Sequence, residues 1–294
     1  MNGSSLRPRA IAIALAAAAL PLFAMDASAQ LAVSSNDGKV VLNNGTVSVP
    51  ASPTDDTVAI IDLGASPPKV IAEIKAPSSV TGPPQNVAVA PDESFAIVAA
   101  TQKLDPADPK KQVPDTRVSV IDLKAKPPAV IATLESGLGP TGASINRAGT
   151  LALVANYREG TVSVFTIAGN KLTPAGKIDL GDPKAGPAGT AFTPDGKTAL
   201  VTRDGDHRIS VLSVDGTTVT DAKRVMTGGH RPYAIAVSPK GDIAVIGNQG
   251  ANTGDVMPVN VVDLKGKGRA LCARWMSANM SKDSPSQTTV IISR

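Results

Sequence analysis

The sequence predicts an all-β chain, a β-propeller of four-stranded blades, and three observations carry that reading. Segments opening at Pro84, Pro140, Pro187 and Pro232 align with one another without gaps. Each runs from a proline through an alternating small and apolar strand into a tight turn of the Pro-Asp-Gly kind. Proline presets φ and glycine accepts positive φ, so the turn follows from backbone chemistry. The leading prolines lie 56, 47 and 45 residues apart, the period of a unit with four short strands. Finally, 24 prolines and 26 glycines are spread along a chain without helical periodicity outside its first segment.

The strands can be placed in order. After each turn comes a second apolar strand, at Phe95–Ala100, Leu151–Ala155, Ala199–Thr202 and Ile243–Gly247. A third follows at Val118–Asp122, Val162–Phe165, Ile209–Leu212 and Val259–Asp263. The fourth falls at Val70–Ile74, Val130–Leu134, Ala175–Leu180 and Ala222–Met226. An earlier, partial copy is read at Asn36–Leu42, closing with Val58–Asp62. About five repeats are therefore visible. The stretch Lys103–Asp115, rich in Pro, Lys and Asp, accounts for the longest spacing as an extended surface loop.

Residues 1–29 read as a secretory signal peptide. Arg7 and Arg9 precede an apolar run from Ala10 to Ala24, and Ala27-Ser28-Ala29 supplies a small-x-small cleavage site. The run is shorter than the roughly 20 residues of a membrane-spanning helix. A periplasmic or secreted location in a bacterium follows as an expectation, with no membrane span after signal cleavage. The formal charge of +4 is carried by the two ends: Lys265 to Arg294 holds a net +5, and residues 30–264 a net −2. That body lacks the clustered basic face that a phosphate backbone requires, so nucleic acid is not an expected partner. A small molecule or a periplasmic protein is.

The segment Leu151-Ala-Leu-Val-Ala-Asn-Tyr-Arg-Glu-Gly-Thr-Val-Ser-Val-Phe165 resembles the YVTN-type repeat of lactonase-like β-propellers. Phe192–Val201 and Ala236–Val245 are similar to the same consensus, and the resemblance spans about residues 35–264. It implies a seven-bladed ring, of which the visible repeats would be an incomplete part, and it brings lactone hydrolysis into view as an activity. The repeat stops after Asp263-Leu264. The next thirty residues hold the only cysteine (Cys272) and the only tryptophan (Trp275). Residues 265–294 are thus expected to form a basic tail outside the propeller, through a reading-frame shift near residue 266 that removes the C-terminal blades. A natural divergent tail with a strand at Thr288–Ser293 is the other reading.

Candidate site residues sit at strand ends. Ligand-binding candidates are Asn86, Asn156, Tyr157, Arg158, Asp204, Tyr233 and Asn248. The catalytic candidates are His230, Arg231, His207 and Arg203, since a lactonase needs a base to activate water and cations to steady an oxyanion. No nucleophile elbow or zinc helix is encoded, and with two histidines no metal and no cofactor is expected. Asp55, Asp56, Asp105, Asp108 and Asp115 could approach a cation, but in no calcium-loop spacing. The expected function is a ligand- or protein-binding scaffold without clear catalytic machinery. The alternative is a hydrolase opening a small sugar or muconate-type lactone.

Overall fold

The computed structural model describes residues 30–43, 46–79, 85–250, 258–265, 270–276 and 289–292. Residues 1–29, read above as a signal peptide, and Pro84 lie outside them. In chain order, β1 (Leu31–Asn36) is followed by a hairpin of β2 (Val41–Asn43) and β3 (Thr46–Ser48), then by β4 (Thr57–Asp62) and β5 (Lys69–Lys75). Next come β6 (Val87–Val89), β7 (Phe95–Ala99), a hairpin of β8 (Gln102–Leu104) and β9 (Gln112–Pro114), β10 (Arg117–Asp122) and β11 (Ala129–Glu135). The third group is β12 (Pro140–Ile145), β13 (Leu151–Asn156), β14 (Thr161–Ala168) and β15 (Lys171–Asp179). The fourth is β16 (Pro187–Phe192), β17 (Thr198–Arg203), β18 (Arg208–Asp215) and β19 (Thr218–Thr227). The fifth is β20 (Pro232–Val237), β21 (Ile243–Asn248), β22 (Pro258–Asp263) and β23 (Ala270–Met276), and β24 (Thr289–Ile292) comes last.

These strands form five antiparallel four-stranded sheets, the blades of a propeller. Blades two to five are meanders in chain order, and the first is ordered β24-β1-β4-β5. Both β23 and β24 fall in the stretch expected to lie outside the repeats; β23 pairs with β22, and β24 lies beside β1.

The recurring proline and glycine now have physical roles. Pro140, Pro187 and Pro232 each open the innermost strand of a blade, and the ladder breaks register directly after each. An inner edge strand tolerates a residue that cannot donate. The turn that follows ends at φ +67 for Gly149, +69 for Gly196 and +65 for Gly241, the left-handed region where glycine costs least.

Four hydrophobic clusters each straddle two neighbouring blades, built from residues such as Phe95 and Phe165, Leu153 and Leu212, Ile60 and Ile121, and Ile209 and Ile246. The second strand of a central blade is therefore buried on both faces. Ile97, Leu153 and Leu200 are at most 1% exposed, whereas Val245 at the matching position of β21 is 39% exposed. One flank of the fifth blade is thus uncovered among the described residues, in keeping with an incomplete ring.

The first blade departs from the sequence reading. Its second strand is Leu31–Asn36, which pairs with β4 along its whole length. Asn36-Asp37-Gly38 is therefore the exit from that strand, matching Asn156 and Asn248, and Val41–Asn43 pairs only with β3. The loop expected at Lys103–Asp115 is likewise a hairpin, β8 against β9.

Candidate functional site

In an antiparallel meander the connections alternate between the two ends of the sheet. The turn from second to third strand and the crossover to the next blade therefore share one face. All the candidate site residues lie on that face, but they divide into two kinds.

The asparagines serve the fold. Asn156 is fully buried; its Oδ1 accepts from Ser136 Oγ at 2.8 Å and Gly137 N at 2.9 Å, and its Nδ2 donates to Thr161 and Ser163 hydroxyls, both at 2.9 Å. Asn86 Nδ2 likewise donates to Ser35 Oγ at 3.0 Å and to the Ser79 and Ala99 carbonyls at 3.2 Å. Asn248 is buried beside Asn260, 3.3 Å away. A buried amide satisfied in this way ties its strand end both to its own blade and to the chain arriving from the blade before. Arg203 is also internal, bound to Asp206, to the Leu180 carbonyl and to Ser210 Oγ at 3.2 Å.

The remaining candidates come together from three blades. Tyr157 follows β13, Asp204 follows β17, and Arg231 precedes β20. Asp204 is 3% exposed at its side chain. It accepts the Tyr157 hydroxyl and a two-pronged contact from Arg231, Nε to Oδ1 at 3.0 Å and Nη2 to Oδ2 at 3.2 Å. Planar guanidinium against carboxylate is among the stronger polar pairings, and here it is partly withdrawn from water. The Tyr157 ring lies against Gly186, with Arg158 stacked above it at 5.5 Å.

His207 and His230 stack beside this cluster with ring centroids 4.6 Å apart. His207 Nδ1 accepts the backbone N–H of Arg231 at 3.1 Å, so the neutral ring carries its proton on Nε2. Both ends of that bond have strained backbone, with φ +64 at His207 and +57 at Arg231. Tyr233 lies close by, and Thr202 Oγ1 holds its carbonyl at 2.6 Å. Of the aspartates considered for a cation, Asp55, Asp56, Asp108 and Asp115 are paired with Lys75, Lys39, Lys111 and Arg117. Sequence reasoning missed both the Lys39 site and Gln85, because no short-range pattern announces a contact closed by folding.

Burial, with the Asp204 carboxylate as acceptor, pushes the Tyr157 hydroxyl up to about 12, and burial also raises Tyr233. These are the only two tyrosines in the chain, so tyrosinate absorbance reports on this site alone. We expect no tyrosinate in the folded protein at pH 10, near the ordinary tyrosine value of about 10. Asp204→Asn should bring both midpoints down, that of Tyr157, which loses its charged acceptor, the more. The folded state holds the proton more tightly than the unfolded one, so the stabilisation is complete below about pH 10 and is lost as pH rises through about 12. A tyrosinate signal at pH 10 from the native protein would contradict this geometry.

Comparison with known proteins fits the architecture. Residues 171–265 match the family model described as lactonase, 7-bladed beta-propeller. A functionally unknown protein from Desulfotomaculum acetoxidans is similar in structure with a TM-score of 0.59 at 20% identity, covering 83% of this chain and 69% of that one. The periplasmic gluconolactonase PpgL of Pseudomonas aeruginosa follows at 0.56 and 18%, with coverage of 83% and 69%. Hydrazine synthase of Kuenenia stuttgartiensis gives 0.57 and 18%, with coverage of 89% and 70%. At these identities the likeness is one of fold, which hosts unrelated chemistries. No curated protein sequence matches the chain. The family match runs from the last strand of the third blade into the fifth, and with the same repeat in the blades before it the chain has a β-propeller fold that over residues 171–265 resembles the lactonase family.

Proposed function

We propose that the Tyr157–Asp204–Arg231 cluster is the floor of a binding site for a small oxygen-rich acid, such as an aldonic acid or its lactone, in a propeller that works outside the cytoplasm. One observation carries the choice of binding over catalysis: both oxygens of Asp204, the carboxylate at the centre of the cluster, are engaged by Tyr157 and Arg231. A carboxylate so held orients its neighbours and is a poor proton acceptor. Exposed above it are Arg158, His230 and His207, whose Nε2–H donates. These groups suit hydroxyl and carboxylate oxygens. The signal-like residues 1–29 and the fold shared with a periplasmic gluconolactonase support the location.

The family match favours lactone hydrolysis as the second reading, with His230 activating water and Arg231 steadying the oxyanion. Titration with gluconate, followed by calorimetry, separates the two. The binding reading expects saturable uptake that Arg231→Ala weakens about tenfold or more, and no loss of glucono-lactone beyond the buffer rate. Uptake unchanged in Arg231→Ala would overturn it. Catalysed lactone loss that disappears in His230→Ala would establish the hydrolase instead.

A further inference from the structure

We propose that a groove between the fourth and fifth blades, on the face opposite the Tyr157 cluster, binds a small amphipathic carboxylate. The groove has a volume of about 340 Å³, within the range of ligand pockets, roughly 300–1,000 Å³. Its mouth is framed by the turns at Pro194-Asp195 and Lys240-Gly241, and these turns touch: a Cβ on Gly241 would lie 3.2 Å from Pro194. The walls thus come from two blades held at a fixed separation.

Two properties select the ligand. The floor is apolar, formed by Leu200 and Met226, both buried, with Leu264 beside them. The rim is cationic, with Arg224, Lys240 and Lys265 all exposed. Among the described residues none of these three is in a salt bridge. Asp195, the one acid among the described lining residues, is turned to its own loop, accepting from Thr193 Oγ1 at 2.6 Å and Lys197 N at 3.1 Å. A bare inorganic anion would leave the floor without apolar contact, and a neutral apolar molecule would leave the rim without a partner. A carboxylate carrying a short hydrocarbon body meets both. Sequence alone could not show this site, because its two halves are separated by the length of a blade.

The proposal is independent of the reading of the Tyr157 cluster, and its test keeps the two apart. The probe is octanoate, titrated into the full chain with labelled methionine methyl groups, the Met226 signal being assigned through Met226→Leu. A saturable shift of the Met226 methyl is expected. The paired reversals Lys240→Glu and Arg224→Glu, both at exposed positions, should weaken binding at least tenfold, and Arg231→Ala should leave it unchanged. Octanol should bind at least tenfold more weakly, and inorganic phosphate should not displace octanoate at equal concentration. An unmoved Met226 methyl, octanol binding as tightly as octanoate, displacement by phosphate, or affinity indifferent to the charge reversals would each overturn the assignment.

Discussion

Lys39→Met should cost the fold about 3–5 kcal/mol at neutral pH, the range for removing one partner from a buried ionic cluster. Lys39 is 6% exposed at its side chain. Its ammonium donates to Asp37 Oδ1 at 3.1 Å, to Asp56 Oδ2 at 2.9 Å and to the Ser78 carbonyl. Asp56 in turn accepts from the backbone N–H of Gly38 at 3.1 Å and of Ser78 at 3.2 Å. One cation thereby joins the turn after β1, the entry to β4 and the segment leaving β5 for the second blade. Methionine would keep much of the volume and leave two carboxylates buried without their cation. The deficit should depend on pH in a defined direction. Burial raises Asp56 above the ordinary carboxylate value, while the Lys39 charge pulls it back and the Asp37 charge pushes it up. Without Lys39 it rises further, so the folded state takes up a proton more readily than the unfolded one. The loss is then complete above that raised value and eases as pH falls through it. Urea midpoints at several pH values measure this, and adding Asp37→Asn and Asp56→Asn should recover part of the loss at neutral pH. A Lys39→Met protein within about 1 kcal/mol of wild type at pH 7 would show that the cluster contributes little.

This cluster also marks the limit of what was legible in the chain. Blade number, strand order and the turn between first and second strands could be read because each is local. Proline at a strand start, glycine at positive φ and alternating apolar residues are all repeated within each blade. The third and fourth strands were placed within a few residues, as with Val118–Asp122 against Arg117–Asp122 in β10. The first blade was misread by the same rule: Asn36-Asp37-Gly38 looks like the first turn of a blade but is the second, a distinction made by pairing with β4 and not by composition. At the site, the strand-end positions of Tyr157, Asp204 and Arg231 were visible as candidates. Their mutual contact was not, since it spans three blades. Asn156 and Arg203 occupy equivalent strand ends and looked equally functional, yet their hydrogen bonds turn inward. A polar residue at a strand end can close its own turn or face the rim, and only the neighbouring blade decides which.

Gly142→Ala and Gly189→Ala are expected to destabilise the protein by about 3 kcal/mol each, the upper end of the usual cost of overpacking. A Cβ on Gly142 would lie 2.2 Å from the Ala188 carbonyl oxygen, and one on Gly189 would lie 2.3 Å from Gln85 Oε1 and 2.7 Å from the Tyr233 carbonyl oxygen. Backbone carbonyls cannot move aside as the end of a flexible side chain can. Gln85 itself joins inner strands that are distant in sequence. Its Nε2 donates to the Ile235 carbonyl at 2.6 Å, its Oε1 accepts from Ile235 N at 3.1 Å, and its own carbonyl accepts from Ala143 N at 2.8 Å. Inner strands of four blades therefore meet at this level, and a ligand is better sought at the rim than in a passage between them. Gly247→Ala is the matched contrast. Among the described residues its Cβ would find only Ala234 Cβ at 3.6 Å, an ordinary contact, so the change should be neutral or stabilising by up to about 1 kcal/mol. The two damaging substitutions should also differ from each other. A Cβ at Gly189 presses on the carbonyl of Tyr233, whereas the nearest atoms to one at Gly142 are backbone atoms of Ala188 and Gly189 in the fourth blade. Tyrosinate titration should therefore shift in Gly189→Ala and stay in place in Gly142→Ala, although denaturation ranks them together. Equal titrations, or a tolerated alanine at Gly142, would mean that the inner strands stand further apart than these contacts require.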